Sequence, residues 1–221
     1  MTTPHILVAG GGYVGMYTAY NLHRKLRRGE ARISVVDPRS AMTYQPFLPE
    51  AAAGSLEPRH VVVSLRRTLK DCDVITGRIT RIEHGRKVAT ITAVEGSAYE
   101  IGYDSLVVAL GSVARTLRIP GLAENAIGFK QIEEAISLRN QVLERLDAAS
   151  SARDEATRRR ALTFVFVGGG YAGVEALAEL EDMARHAADL YYDDVAPADM
   201  RWVLVEASER ILPEVGPDLG R

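Results

Sequence analysis

Three glycines near the start of the chain have the spacing of a phosphate-binding turn. Gly10, Gly12 and Gly15 fit the pattern G-x-G-x-x-G, with an apolar run before them and a helical pattern after them. In such a turn the first glycine allows a tight bend, the second lets the backbone approach a pyrophosphate, and the third lets the helix pack closely on the strand. The helix that follows directs unpaired N–H groups and the positive end of its dipole at the phosphates. The turn therefore predicts a dinucleotide site.

The same pattern returns in the last third of the chain. The glycines and the tyrosine of the first turn are repeated residue for residue: Gly168, Gly170, Tyr171 and Gly173 match Gly10, Gly12, Tyr13 and Gly15. Each copy is followed by a strand that ends in an acid, Asp37 or Glu206, where a carboxylate can accept hydrogen bonds from ribose hydroxyls. An ordinary turn residue or surface acid is the alternative at both positions. Two such units imply two cofactors, and a hydride carrier beside a second redox cofactor is the natural pairing.

The elements around the two turns alternate as in an α/β fold. Apolar runs predict buried strands, helical periodicity predicts helices, and regular alternation broken by turn residues predicts antiparallel strands. In chain order the predicted elements are a strand at Ile6–Ala9, a helix from Tyr13 to about Arg28, a strand at Arg32–Asp37, a short helix at Val61–Lys70, three antiparallel strands within Asp73–Ile101, a buried strand at Tyr103–Gly111, a helix from about Gln131 to Ala148, and strands beginning at Thr163 and Trp202.

Composition excludes several classes of function. The net charge of −2 argues against binding nucleic acid through bulk charge. The chain has no run of about 18 apolar residues and no signal-peptide pattern, and its single cysteine, Cys72, cannot form an internal disulfide. We therefore expect a cytoplasmic protein, with attachment to a membrane surface left open.

The residue patterns also limit the chemistry. A disulfide reductase needs a redox pair of cysteines, which a chain with one cysteine lacks. The five histidines are scattered without His-Glu-x-x-His or Cys-x-x-Cys spacing, so we expect no metal site. Neither Gly-x-Ser-x-Gly nor Gly-Lys-[Ser/Thr] occurs, which argues against hydrolases and P-loop enzymes.

These motifs resemble the flavoproteins with two dinucleotide-binding domains, the pyridine nucleotide-disulfide reductase-like class. Within that class, Tyr44–Gly54 (YQPFLPEAAAG) and Gly168–Glu175 (GGGYAGVE) are similar to the type II NADH dehydrogenases. The resemblance covers essentially the whole chain. It implies a Rossmann-like FAD-binding domain with an antiparallel β-meander insert, followed by a truncated second Rossmann-like unit that binds NAD(H).

The resemblance also implies which residues form the sites. Glu175 and Gln45 would be catalytic, beside the flavin. The cofactors would be held by the glycine turns, the strand-end acids and three further segments: Gly10, Gly11, Gly12, Tyr13, Gly15, Asp37, Pro46, Ile79, Ala109 and Gly111 for FAD, and Gly168, Gly170, Tyr171, Gly173 and Glu206 for NAD(H). The predicted domains are residues 1–120 for FAD, 121–160 as a connecting helix and linker, and 161–221 as an incomplete NAD(H) domain.

The expected activity is transfer of a hydride from NADH to FAD and of electrons from FAD to a quinone. Members of the family that this chain resembles are longer than the chain, so we expect it to be an N-terminal fragment that is inactive alone. The parent protein is expected to contact a membrane peripherally through its C-terminal region and to form a homodimer. The acidic Glu206 predicts NADH over NADPH. The alternatives are a reductase of the ferredoxin, rubredoxin or nitrite-reductase type on the same scaffold, and a nucleotide-binding sensor or fragment without turnover.

Overall fold

The computed structural model describes residues 3–114, 117–216 and 218. Ten strands lie within these ranges: β1 His5–Ala9, β2 Arg32–Asp37, β3 Ala41–Thr43, β4 Val62–Ser64, β5 Asp73–Glu83, β6 Val88–Ala93, β7 Ala98–Gly102, β8 Ser105–Val108, β9 Thr163–Val167 and β10 Arg201–Val205. Seven α-helices lie within the same ranges: α1 Tyr13–Lys25, α2 Leu48–Ala53, α3 Leu65–Thr68, α4 Leu122–Asn125, α5 Ile132–Ser151, α6 Glu155–Ala161 and α7 Tyr171–Tyr191.

The chain divides into two compact units. Unit 1 consists of Met1–Tyr44 and Val62–Val113, and unit 2 consists of Gln45–Val61 and Ala114–Arg221. The segment after Tyr44 therefore packs with the second half of the chain. Compactness alone does not say which cofactor a unit binds, so the assignment of cofactor-binding domains to residues 1–120, 121–160 and 161–221 stays a prediction. Residue 221, where the last of these domains ends, lies outside the described ranges.

Unit 1 contains a six-stranded sheet in the order β7-β6-β5-β2-β1-β8. Strands β8, β1, β2 and β5 run parallel, and β5, β6 and β7 pair antiparallel, as predicted for the insert. Alternate residues of the central strands enter different parts of the core. Val8 and Val35 pack with α1, whereas Leu7 and Val36 pack with residues of β6. The parallel strands bring their carboxyl ends to one edge of the sheet, where the first glycine turn lies.

The predicted helix at Val61–Lys70 is wrong over its first half. Val62–Ser64 forms β4, which pairs antiparallel with β3, and the helix starts only at Leu65. Two physical causes explain the difference. β-Branched valines favour an extended strand, and the Ser64 side chain accepts a hydrogen bond from the N–H of Arg67, which fixes the start of α3.

The predicted buried strand at Tyr103–Gly111 is shorter and more exposed than expected. Only Ser105–Val108 is a strand, and it lies at the edge of the sheet beside β1. Val108 is 63% exposed, whereas Tyr103, before the strand, is buried. An apolar run identifies a strand but does not tell an edge position from a central one.

His5 and Ser34 form a buried polar contact at the amino-terminal end of the parallel strands. The Nε2 atom of His5 lies 2.8 Å from Ser34 Oγ, and its Nδ1 atom lies 2.6 Å from the carbonyl oxygen of Gly102. A guanidinium nitrogen of Arg32 also lies 3.0 Å from Nδ1. Burial is the main cause that lowers the pKa of His5. Both side chains are buried, so a substrate cannot reach them, and we assign them to linking β1, β2 and β7.

Unit 2 pairs β9 and β10 in parallel and packs helices around them. Its core contains side chains from five helices or strands: Leu48 and Ala52 of α2, Leu146 and Ala149 of α5, Ala161 of α6, Phe164 of β9, and Leu180 and Ala184 of α7. Helix α5 begins behind Gln131 through a capping box in which Glu134 accepts hydrogen bonds from the backbone. Trp202 of β10 stacks on Phe164 with 4.3 Å between the ring centroids.

A single arginine holds the loop between α7 and β10. The guanidinium of Arg158 pairs with Asp199 at 3.1 Å and donates to the carbonyl oxygens of Ala149 and Asp194. In the same region Tyr192 donates its hydroxyl proton to Asp147 Oδ1 at 2.6 Å. Desolvation and this hydrogen bond raise the pKa of Tyr192 to about 12. Over the described residues, none of the helices is both long and apolar enough to cross a membrane.

Candidate functional site

The first glycine turn joins β1 to α1 in the geometry that its spacing predicts. Gly10 has φ +106°, a conformation that side chains rarely adopt, and its N–H donates to the carbonyl oxygen of Val36 at 2.8 Å. A Cβ on Gly15 would lie well inside 3.0 Å of the Gly10 carbonyl oxygen. Helix and strand can approach this closely only because Gly15 has no side chain.

Ala109 and Gly111, both predicted for the FAD site, follow β8 at the same edge of the sheet. Ala109 donates its N–H to Ala9 at 2.8 Å, and its backbone lies against Gly10 so closely that no Cβ would fit there. Gly111 is exposed with φ +66°. The structure therefore brings Ala109 together with the glycine turn.

Asp37 lies at the end of β2, beside the turn. Its Oδ2 atom accepts a hydrogen bond from the N–H of Gly11 at 2.7 Å, and Oδ1 accepts one from the N–H of Arg39 at 2.7 Å. A carboxylate oxygen has two lone pairs, so each oxygen retains acceptor capacity. Two backbone donors thus fix the orientation of an acid that can still bind hydroxyl groups.

The second turn repeats this arrangement in unit 2. Gly168 has φ +113°, and its N–H donates to Val205 O at 2.8 Å. A Cβ on Gly173 would again lie well inside 3.0 Å of the carbonyl oxygen of the first glycine. Helix α7 begins directly behind Gly170, as α1 begins behind Gly12.

Glu206, at the end of β10, accepts three hydrogen bonds. The N–H of Gly169 donates to Oε2 at 2.6 Å, and the N–H and hydroxyl of Ser208 donate to Oε1 at 2.8 and 2.9 Å. The backbone N–H of Ser208, then that of Gly169, then the Ser208 hydroxyl lower the pKa of Glu206 to about 2. Glu206 is therefore ionised at every physiological pH.

The two turns differ in the space beside their second glycine. A Cβ on Gly12 would meet no atom within 4 Å, which leaves the open approach that a pyrophosphate requires. A Cβ on Gly170 would lie 3.5 Å from Oε1 of Glu214. Both sites fit a dinucleotide through their glycine turns, helix N-termini and acids. At the second turn the carboxylate of Glu214 lies beside the path by which a pyrophosphate would approach Gly170.

The remaining predicted site residues are distributed over both units. In unit 1, Tyr13 is 56% exposed with its ring centroid 4.8 Å from that of Tyr17, and Ile79 packs in the core cluster of β6. In unit 2, the side chain of Gln45 donates to Lys130 O at 3.0 Å. Three others are exposed there: Pro46, Tyr171 and Glu175. The roles of these residues toward a cofactor stay predictions.

Sequence reasoning missed the residues that hold the two acids in place. Arg39 and Ser208 each lie two positions after a strand-end acid and donate a backbone N–H to it. Leu212 donates its N–H to Gly169 O at 2.6 Å and so joins the loop behind β10 to the second turn. The short polar side chain of Ser208 just after the acid is a signal of local side-chain bonding that could have identified it; Arg39 and Leu212 act through backbone N–H groups, which carry no such signal.

Comparison with known proteins agrees with this geometry. The external alternative NADH-ubiquinone oxidoreductase of Yarrowia lipolytica mitochondria is 30% identical over 224 residues, which cover 97% of this chain and 38% of the relative. The type II NADH:quinone oxidoreductase NdhA of Mycobacterium tuberculosis is 29% identical over 218 residues, which cover 97% of this chain and 45% of the relative. The structure of NDH2 from Plasmodium falciparum in complex with NADH superposes with a TM-score of 0.89 at 22% identity, covering 98% of this chain and 44% of that one.

The chain thus spans less than half the length of each of these proteins. The likeness to NDH2 shows the Rossmann-type fold, with its mixed sheet in unit 1 and its parallel strand pair in unit 2. A family model described as pyridine nucleotide-disulphide oxidoreductase matches residues 4–221. The chain therefore belongs to the pyridine nucleotide-disulphide oxidoreductase family.

Proposed function

We propose that the whole protein is a flavoprotein oxidoreductase that passes a hydride from NADH to FAD and then electrons to a quinone. The observation that carries the proposal is the duplicated turn, in which the N–H of Gly11 or Gly169 donates to the carboxylate that ends the next parallel strand. Relatives named as NADH-ubiquinone and NADH:quinone oxidoreductases support the choice of substrates.

FAD is assigned to the turn of unit 1. The open space at Gly12 admits a pyrophosphate, and Asp37 offers oriented acceptors to the ribose. Gly10, Gly11, Tyr13 and Gly15 complete the turn, and Ala109 is packed against it. By resemblance to the family, Pro46, Ile79 and Gly111 are the further FAD-binding residues.

NAD(H) is assigned to the turn of unit 2, formed by Gly168, Gly170, Tyr171 and Gly173. Glu206 would accept hydrogen bonds from the adenosine ribose, and its charge would repel a 2′-phosphate, because the carboxylate stays ionised. The proposal therefore includes NADH as the preferred donor. Comparing kcat/KM for NADH and NADPH tests it, and a preference for NADPH would contradict the assignment.

A flavin held by these residues would supply the redox chemistry, namely hydride acceptance and electron transfer. The chain's own residues bind and orient the cofactors. Glu175 is the fifth residue of α7, and we propose that it balances charge or protons near the flavin. Gln45 keeps its amide oxygen as an acceptor while its nitrogen donates to Lys130. Glu175→Gln should slow turnover without releasing FAD.

Quinones are lipid-soluble, so the proposal includes peripheral contact of the whole protein with the cytoplasmic face of a membrane. It also includes a homodimer as the assembly. Flotation of the whole protein with anionic vesicles tests the first, and light scattering coupled to size exclusion tests the second. Protein that stays with the aqueous fraction and elutes as a monomer would contradict both.

The decisive experiment is a visible spectrum of the purified whole protein with and without NADH. Flavin bands that bleach on addition of NADH and return on addition of a quinone are expected. Return of the bands with a ferredoxin but not with a quinone would replace the proposed acceptor. A protein without flavin that still binds NADH would support a nucleotide-binding sensor instead.

A further inference from the structure

The loop behind β10 carries an acid, Glu214, to the start of α7. Its Oε1 atom would lie 3.5 Å from a Cβ on Gly170, the N-cap residue of this helix. Gly170 has no side chain that could cap the helix, and the first turn of α7 contains no acid. The chain thus places a carboxylate from another segment at the point where the pyrophosphate of a dinucleotide would approach the helix end.

Backbone contacts fix the position of this loop. The guanidinium of Arg210 donates to the carbonyl oxygens of Pro213 and Val215 at 3.0 and 2.8 Å, and these two residues flank Glu214. The N–H of Leu212 ties the same loop to the second glycine turn. The main chain on both sides of Glu214 is therefore held beside the turn.

The side chain of Glu214 is not held in the same way. Over the described residues, its carboxylate takes part in no hydrogen bond and in no ion pair. Glu206, in contrast, accepts three hydrogen bonds. Because Glu214 is exposed, rotation of its side chain can withdraw the carboxylate from Gly170 while the loop stays in place.

The first turn has no such group beside its second glycine. A Cβ on Gly12, the N-cap residue of α1, would meet no atom within 4 Å. The first turn of α1 also contains no acid, and no side chain caps the helix. The two helices therefore start alike, and the carboxylate of Glu214 distinguishes the second site.

A pyrophosphate and the carboxylate of Glu214 would compete for the same helix end. The unpaired N–H groups and the positive end of the helix dipole favour either anion. The two anions repel each other. A dinucleotide that binds at the second turn must therefore turn the carboxylate away or bind against its charge, and both alternatives lower the affinity.

We propose that Glu214 competes with the pyrophosphate of the dinucleotide at the second turn, and that it thereby weakens binding and speeds release. The inference rests on the assignment of NAD(H) to unit 2. In that function FAD stays bound through successive turnovers, whereas the oxidised dinucleotide must leave after each hydride transfer. The open approach at Gly12 suits a resident cofactor, and a carboxylate that returns to the helix end suits one that exchanges.

The test compares Glu214→Gln with Glu209→Gln, which removes the same charge from another exposed residue of the same loop. Binding of ADP-ribose to the whole protein is measured by titration calorimetry. Coulomb's law at about 6 Å in water gives about tenfold for the two charges of a pyrophosphate if the carboxylate stays in place. The lost contact with the helix end gives about threefold if the carboxylate turns away.

Glu214→Gln should therefore bind ADP-ribose about threefold to tenfold more tightly than the wild type at low salt, and Glu209→Gln should stay within about twofold of the wild type. At about 1 M salt the Debye length is about 3 Å, so the advantage of Glu214→Gln should fall below about twofold. Release of NAD⁺, followed by stopped flow, should be slower in Glu214→Gln, and its FAD content should be unchanged.

The outcomes separate this inference from the proposed function. If the wild type binds ADP-ribose and Glu214→Gln binds it no more tightly than Glu209→Gln does at low salt, the competition is refuted. An advantage of Glu214→Gln that persists at about 1 M salt would also refute it, because charge would then not be the cause. If the wild type does not bind ADP-ribose, the assignment of NAD(H) to unit 2 fails, and this inference fails with it.

Discussion

Gly15 and Gly12 lie in the same turn, but a methyl group added to each would meet opposite surroundings. On Gly15 it would lie well inside 3.0 Å of the carbonyl oxygen of Gly10 and 3.3 Å from the Cβ of Ala109. On Gly12 it would meet no atom within 4 Å, at a residue whose φ is −68°. Alanine substitutions at these two positions therefore separate a glycine that the fold requires from one that a ligand requires.

Gly15→Ala should destabilise unit 1 by about 2 kcal/mol. The atom that the methyl group meets belongs to the backbone of the turn, so relief requires a shift of main chain, and overpacking of this kind costs about 1–3 kcal/mol, occasionally more. Alanine recovers up to about 1 kcal/mol through its higher helix propensity, since Gly15 lies in α1. Urea unfolding followed by far-UV circular dichroism, without added FAD, measures the difference.

Gly12→Ala should leave the free energy of unfolding within about 0.5 kcal/mol of the wild type. Alanine is a poorer residue than glycine in front of a helix, but it also reduces the entropy of the unfolded chain, and the two effects oppose each other. FAD binding should nevertheless weaken at least tenfold, which corresponds to about 1.4 kcal/mol, because the methyl group occupies the approach of the pyrophosphate. A titration with FAD measures this loss.

The repeat supplies an internal replicate in unit 2. Gly173→Ala should destabilise this unit in the same way, with the fluorescence of Trp202, the only tryptophan in the chain, as the probe. Tight FAD binding by Gly12→Ala would refute the assignment of the pyrophosphate to the first turn. Unchanged stability of Gly15→Ala would refute the close approach of helix and strand.

Three further predictions follow from the contacts of unit 2. The pKa of Glu206 is lowered to about 2, so its contribution to stability is present above pH 4.5 and is lost as pH falls toward 2. The free energy of unfolding of Glu206→Gln should therefore depend less on pH in that window than that of the wild type. Arg158→Ala should cost about 2 kcal/mol in urea unfolding through its lost bonds to the α7–β10 loop, whereas Arg159→Ala, whose side chain is 77% exposed, should change stability by less than about 0.5 kcal/mol. The pKa of Tyr192, raised to about 12, gives a contribution that is present below pH 10 and lost as pH rises through 12, so absorbance titration of Tyr192→Phe should lack one late tyrosinate step and that of Asp147→Asn should show it earlier.

The order of elements around both turns could be predicted because it depends on local signals. Glycine spacing, apolar runs and the acid at the end of the following strand identified β1, α1, β2 and their counterparts in unit 2. The antiparallel insert was equally readable, since its strands alternate and its turns carry glycine. These features require no knowledge of what a segment packs against.

What could not be predicted depends on contacts between distant parts of the chain. One example is the segment after Tyr44, which contains α2: its Leu48 and Ala52 are buried in the core of unit 2. The exposure of Val108 depends on the edge position of β8, which is a property of strand order. Likewise, the hydroxyl of Ser208 helps to orient the carboxylate of Glu206, and that carboxylate belongs to the site because β10 brings it beside the N–H of Gly169.

Strand register explains why the same acid-to-glycine bond forms twice despite different connections. In unit 1 the last residue of β1 pairs with Val36, the residue before Asp37, and in unit 2 the last residue of β9 pairs with Val205, the residue before Glu206. The crossover helices have 13 and 21 residues, so the number of residues between glycine and acid does not fix the contact. Because parallel pairing brings the ends of neighbouring strands to one edge, the position of the acid follows from the register, and the crossover can lengthen without disturbing the site. Even the extra methylene of glutamate is absorbed, since Oδ2 of Asp37 and Oε2 of Glu206 lie 2.7 and 2.6 Å from their glycine nitrogens.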